Sequence, residues 1–205
     1  MSVGTELEKE KHIYATEVLD KKTCKKLSAR LFDLKKQNKL IKDEQCPLSL
    51  AIYGDEEFEE VLENLAGFLS TTLGKKVLPT YCYARLYYKG EELKKHTDRP
   101  SCEISVTVTL DHDKNSTIWP ISMGEPANIS IKIGDGVIYK GCEIEHWRKP
   151  YKGKWQTQAF FHCVDAEGEH KELVFDARQR LNKPQEINLS FADLYTRAMS
   201  QVKRL

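Results

Sequence analysis

The sequence predicts an α+β chain with a mainly β core, a sandwich or barrel of the double-stranded β-helix type buttressed by amino-terminal helices. Up to about residue 76, apolar residues recur at three- and four-residue spacing. From 77 to about 165 the period falls to two, and short alternating runs are cut by Gly and Pro. Many short alternating strands need a second sheet to cover their apolar face, which is what a sandwich or barrel supplies. The chain of 205 residues suits one domain with a helical support (1–76), a catalytic-type β core (77–165) and a carboxy-terminal extension (166–205).

The first helix is expected over 20–39: Asp20 can cap it, and Cys24, Leu27, Leu31 and Leu34 form one apolar stripe with lysines opposite. A second is expected over 55–73, capped by Asp55, striped by Phe58, Val61, Leu62, Leu65 and Leu69, and stopped by Gly74. VLPTYCYARLYYKG then reads as a tyrosine-rich strand ending at Gly90. In CEISVTVTLD, Ile104, Val106 and Val108 alternate with Ser105, Thr107 and Thr109, giving one apolar and one hydroxyl face. Short strands follow at STIWPI and NISIKI, then a turn at Gly134-Asp135-Gly136, a strand VIYKG and a strand WQTQAFFHCV. Residues 190–203 read as a closing helix capped by Ser190.

Lys plus Arg total 32 and Asp plus Glu 31, a formal net charge of +1. That balance gives no broad electrostatic argument for a nucleic-acid or membrane-surface partner, and neither is expected. Six cysteines are scattered without a CxxC pair, and the polar amino terminus lacks the apolar segment of a signal peptide. The expectation is an intracellular, cytoplasmic chain with reduced thiols.

The chemistry concentrates in LKKHTDRP, where His96 and Asp98 stand two residues apart. In an extended segment such side chains leave the same face, so an imidazole nitrogen and a carboxylate oxygen can converge on one ion. His146, following the GDGVIYKG strand, is the candidate third ligand. Two histidines and one carboxylate suit Fe(II) and leave about three positions of an octahedral ion open. The other histidines fit less well; His162 lies deep in an apolar strand as a core or substrate-face residue.

With these motifs in hand, the segment from about Tyr83 to His162 resembles the 2-oxoglutarate and Fe(II)-dependent oxygenases, prolyl 4-hydroxylase-like branch. YYKGEELKKHTD resembles that family's first strand and first two ligands, HTDRP its H-x-D-x-P variants, GDGVIY the strand before the distal histidine, and GKWQTQAFFH the strand of the basic co-substrate anchor. The resemblance implies a jelly-roll core and a hydroxylation that consumes O2 and 2-oxoglutarate and releases succinate and CO2. It implies His96, Asp98 and His146 as iron ligands.

For the remote carboxylate of 2-oxoglutarate the resemblance points to Lys154, eight residues beyond His146. Arg148 in HWRKP is the rival, able to offer a bidentate fork. Tyr87 matches a family tyrosine beside co-substrate or substrate, and can equally be core packing. Thr109, with Thr107, either bonds that carboxylate or lines a polar interior. Arg99 and Trp147 are substrate-side candidates; the alternatives are a solvated arginine and barrel packing, the latter shared by Trp119. The implied substrate is a prolyl or other residue of a peptide or protein. A free amino acid or small metabolite is the second reading, and a non-catalytic metal-binding jelly-roll module the third. Oligomeric state is not legible.

Overall fold

The computed structural model describes residues 2–125 and 128–182. The closing helix expected at 190–203 lies outside the described residues. Three helices, α1 (Val3–Glu10), α2 (Lys21–Lys36) and α3 (Glu56–Leu73), precede most of the β structure. The two longer ones start where the caps were expected. Asp20 accepts from the Thr23 amide at 2.8 Å and Asp55 from the Glu57 amide, so each offsets amides the helix leaves unpaired. Gly74 ends α3 with φ +68°, a conformation that costs glycine little.

Among the described residues, ten strands form two antiparallel sheets. They are β1 (His12–Ala15), β2 (Leu50–Tyr53), β3 (Val77–Tyr88), β4 (Leu93–His96), β5 (Ile104–His112), β6 (Ile121–Met123), β7 (Asn128–Ile129), β8 (Gly136–Tyr139), β9 (His146–Arg148) and β10 (Trp155–Asp165). The large sheet has the order β1-β8-β5-β10-β3-β2 and the small one β4-β9-β6-β7. The segment read as helical support therefore also contributes the two outer strands of the large sheet, each only four residues long and too short to show a period. The strands expected at STIWPI and NISIKI shrink to Ile121–Met123 and Asn128–Ile129. Pro120 has no amide to donate, and the Trp119 indole N–H is spent on the Lys149 carbonyl at 2.7 Å.

Alternation sorts the large sheet into two faces. Cys82 and Ala84 of β3, Ile104, Val106 and Val108 of β5, and Ala159, Phe161 and Cys163 of β10 pack with Leu27 and Leu31 of α2 and Phe58, Leu62 and Leu69 of α3. Burying each such leucine contributes roughly 1.5–3 kcal/mol, so the helices are held by their stripes more than by propensity. The opposite face carries Tyr81, Tyr83, Arg85 and Tyr87, then Ser105, Thr107 and Thr109, then Gln156, Gln158, Phe160 and His162. It looks toward the small sheet, where Tyr87 meets Trp119 edge-on at 4.9 Å and Tyr139 meets His146 at 5.1 Å. One face thus builds the core, and the other lines a polar chamber. Among the described residues no helix is long and apolar enough to cross a membrane.

Candidate active site

His96 and His146 stand directly opposite each other across β4 and β9, with ring centroids 4.3 Å apart. Ligand atoms of His96, Asp98 and His146 all lie within 4.8 Å of one another. The Asp98 Oδ1 atom is 3.5 Å from His96 Nε2 and 3.6 Å from His146 Nε2. Each Nδ1 lies against the carbonyl two residues before it, Lys94 for His96 (2.8 Å) and Ile144 for His146 (3.1 Å). A carbonyl only accepts, so Nδ1 carries the proton and both Nε2 lone pairs face Asp98 Oδ1. This is the tautomer a metal-binding histidine needs.

Burial opposes charge at all three residues, and the balance against their partners differs from one to the next. At His96 the Asp98 carboxylate outweighs burial and raises the imidazole pKa above its usual value. At His146 burial wins and lowers it. Asp98, despite burial, is held below the usual carboxylate range by His96, His146 and His162. The cluster suits a divalent cation, which binds carboxylate and neutral imidazole together.

Residues not singled out from the sequence fix Asp98. Tyr139 donates to Asp98 Oδ2 at 3.2 Å, and the Asp98 amide donates to the Gly141 carbonyl at 2.8 Å. A Cβ at Gly141 would stand 2.7 Å from Asp98 Oδ2 and 2.5 Å from the Cys102 carbonyl oxygen, distances that backbone cannot relax cheaply. Gly141→Ala should therefore lower metal affinity by about 10–100-fold, the range for residues that orient ligands. Anaerobic titration with Co(II) measures this, and an unchanged affinity would show that Gly141 does not set the Asp98 position.

Deeper in the chamber lies Arg148, two residues along β9 from His146 and 1% exposed. One terminal nitrogen donates to the Trp119 carbonyl, and the guanidinium stacks 4.9 Å from the Trp119 ring. Its Nε and Nη2, the two donors of one edge, have no hydrogen-bond partner among the described residues. The Tyr87 hydroxyl and Gln156 Oε1 beside it make no well-aligned bond either. Burial pushes the Arg148 pKa down to about 10, which leaves it cationic at neutral pH. Cys46, Leu93, Trp119 and Tyr151 pack with Tyr87 and shut the chamber from water.

The other expected residues are placed as follows. Lys154 is exposed and precedes β10, outside the chamber. The inward residue at that level is Gln156, paired in register with Tyr87. Thr109 and Thr107 are fully buried and grip Gln158, at 3.1 and 2.7 Å, so they order the chamber floor. Trp147 points away from His146 and Arg148, beneath the Lys95 ammonium at 5.0 Å, so it does not border the chamber. His162 faces inward; its Nδ1 meets Ser105 Oγ at 2.8 Å, and burial lowers its pKa to about 4, keeping it neutral.

Arg99 stays partly solvated, its side chain 40% exposed, but it is ion-paired and not free. It holds Asp176 bidentately at 2.7 Å and lies 4.3 Å over the Tyr81 ring. Asp176 also accepts from Tyr53 and Ser101, and sits in a run of three left-handed non-glycine residues, Phe175, Asp176 and Ala177 (φ +57°, +55°, +61°). That conformation costs roughly 1–2 kcal/mol per residue, and the carboxylate network offsets it. Burial opposes the Asp176 charge, but Arg99 holds its pKa below the usual value, so its stabilisation is present above about pH 4 and lost as pH falls further. Asp176→Asn should cost about 1–3 kcal/mol at pH 7 and flatten this acid limb; urea unfolding between pH 3 and 7 checks it. Equal losses at both ends would overturn the assignment.

No protein-family model matches the chain, and no curated protein matches it. Solved structures do. A prolyl-4-hydroxylase from Pseudomonas putida superposes with TM-score 0.60 at 15% identity, covering 78% of this chain and 96% of that one. A prolyl hydroxylase in complex with a hypoxia-inducible-factor peptide, from Trichoplax adhaerens, gives 0.61 at 14% identity, covering 78% and 87%. HygX from Streptomyces hygroscopicus, with nickel, 2-oxoglutarate and hygromycin B bound, gives 0.64 at 9% identity, covering 80% and 86%. The chain has the jelly-roll fold of the 2-oxoglutarate and Fe(II)-dependent oxygenases. The fold is similar both to those of prolyl hydroxylases and to that of HygX.

Proposed function

We propose that the protein is an Fe(II)- and 2-oxoglutarate-dependent dioxygenase that hydroxylates an unactivated C–H bond of a peptide or protein residue, a prolyl residue being the first candidate. The observation that carries this reading is the pairing, in one chamber, of the His96–Asp98–His146 cluster with the orphaned donor edge of Arg148. A dianion that also contacts the metal needs such a cation one side chain away. Arg148, with Tyr87, replaces exposed Lys154 as the proposed anchor.

His96, Asp98 and His146 would hold iron through Nε2, Oδ1 and Nε2, and three protein ligands leave the rest of a six-coordinate ion open. When bound, iron and 2-oxoglutarate supply the oxidising chemistry, with O2 consumed and CO2 and succinate released. Tyr139 keeps Asp98 Oδ2 turned from the shared centre. Trp119 and Tyr151 exclude water, so the Arg148 charge acts in a low dielectric. A free amino acid or small metabolite is the second reading, supported by HygX, which binds hygromycin B within the same fold.

The test is anaerobic calorimetry with Fe(II) and 2-oxoglutarate, followed by succinate analysis in air. One metal per chain, 2-oxoglutarate binding and succinate formation are expected. Failure to bind either, with His96→Ala indistinguishable from wild type, would remove the oxygenase reading.

A further inference from the structure

The chamber contains a second buried guanidinium. Arg85, on the inward face of β3 two residues before Tyr87, has a side chain 7% exposed, and its Cζ lies 5.9 Å from the Tyr87 ring. It is fixed, because β3 pairs with β10 on one side and β2 on the other, with Arg85 opposite both Gln158 and Ala51. Its partners come from outside the sheets. Nη2 donates to Asp43 Oδ2 at 2.8 Å and Gln45 Oε1 at 2.6 Å, and Nη1 lies 2.7 Å from Cys46 Sγ. Tyr83 donates to the same Asp43 oxygen at 2.5 Å.

Residues 42–49, which supply these partners, form a loop closed at its base by a reciprocal pair of 2.8 Å backbone bonds between Ile41 and Ala51. Compact loops with joined ends often carry function; this one is anchored from within by buried Cys46 and by buried Ser49, which donates to Glu91 at 2.6 Å, while Asp43 lies nearer its open edge. Glu44, Gln45, Pro47 and Leu48 of this loop are exposed, and the Asp43 side chain retains 20% exposure, so water already reaches that carboxylate; its departure would leave Arg85 uncompensated unless another anion replaces it.

Asp43 fits Arg85 incompletely. It engages the guanidinium through one oxygen, on Nη2, while Nε of the same edge makes no well-aligned hydrogen bond among the described residues, although Tyr87 lies against Arg85. The other Asp43 oxygen is spent on the Cys46 amide at 2.8 Å. A carboxylate free of that constraint can take Nε and Nη2 together, the stronger bidentate arrangement. Two carboxylates at once are excluded, because one buried cation cannot compensate two buried anions.

We propose that Arg85 and Tyr83 are the receptor for a carboxylate on the substrate, and that Asp43 of the 42–49 loop occupies it until the substrate's carboxylate takes its place. This rests on the oxygenase reading and narrows its substrate to one bearing an acidic group near the carbon attacked. Arg148 remains assigned to 2-oxoglutarate and Arg85 to the substrate.

The test is anaerobic calorimetry on the protein saturated with Fe(II) and 2-oxoglutarate. The probes are glutamate and aspartate blocked at both backbone ends, each against its blocked glutamine or asparagine counterpart. Acids should bind at least about tenfold more tightly than amides, the worth of one charged hydrogen bond. Asp43→Asn, which can keep the turn bond to Cys46, should tighten the acids about tenfold and leave the amides unchanged. Arg85→Gln should erase the acid preference while retaining 2-oxoglutarate affinity, and Tyr83→Phe should weaken the acids severalfold should Arg85→Gln fail to fold. Acids and amides binding alike, neither binding, or acid preference surviving Arg85→Gln would overturn the proposal. A protein that binds neither iron nor 2-oxoglutarate would sink the oxygenase reading instead, and the same acid–amide comparison on metal-free protein would still decide the role of Arg85.

Discussion

Arg148→Met is expected to weaken 2-oxoglutarate binding by more than about 100-fold and to leave the metal-free protein as stable as wild type or more stable. The binding loss follows from removing both donors of a buried bidentate edge, about 3 kcal/mol of charge-assisted bonding. The stability gain follows from the same burial. Arg148 has one backbone partner and two orphaned donors, and burial lowers its pKa to about 10 despite Tyr87, Tyr139, Cys46 and Tyr151 nearby. A base whose folded-state pKa lies below its usual value holds its proton less tightly when folded. It therefore opposes folding at neutral pH, and the opposition begins to fade only as pH rises above about 10. Methionine fills a similar volume between Trp119 and Tyr87 without that charge. Urea unfolding at pH 7 and pH 10, beside 2-oxoglutarate calorimetry, measures both effects. Exposed Lys154 provides the contrast, since Lys154→Ala should change neither. A variant that is clearly destabilised and still binds 2-oxoglutarate normally would show Arg148 to be a structural arginine.

The helices and long strands were legible because their patterns run long enough to average out exceptions. Cys24 to Leu34 spans three turns of stripe, and Ile104 to Thr109 three full alternations. The four-residue strands β1 and β2 offered no such length; they exist because β8 and β3 present edges to pair with. The convergence of His96, Asp98 and His146 was legible because its spacing survives folding. A bulge in the β4–β9 register sets His96 opposite His146, and a strand-like segment carries Asp98 beside them.

Both Lys154 and its rival Arg148 were legible as candidate anchors, and the sequence could not choose between them for a physical reason. Sequence comparison assigns a role to a place along one strand, whereas a carboxylate senses only where the charge lies in space. Here Gln156 stands at that level of β10, and the buried cation proposed as the anchor lies on β9. A signal was present: in the buried run Tyr81 to Tyr87, Arg85 shares the alternation of the inward tyrosines, and Arg148 shares that of His146. A charged residue in phase with a lined interior is costly unless it meets an anion. Gly141 carried no comparable signal, since its value lies in a close approach to Asp98 that only the fold creates.

Metal affinity should fall by about tenfold per pH unit as pH drops below the raised pKa of His96, and the slope should be one proton. His96 is the titrating group. Burial alone would lower its pKa, but the Asp98 hydrogen bond and charge raise it, so metal binding must expel that proton. His146, lowered by burial, is already neutral there and adds no second proton. Asp98→Asn separates the two roles of the carboxylate. Loss of a direct ligand should reduce affinity by more than about 100-fold, beyond the range for orienting residues such as Gly141. Loss of its charge should let burial govern His96, moving the remaining pH midpoint below the ordinary histidine value. Anaerobic Co(II) titrations between pH 5.5 and 8 resolve both shifts. A two-proton slope would mean that His146 is charged before metal binds, and an unmoved midpoint in Asp98→Asn would break the link between Asp98 and His96 on which the centre depends.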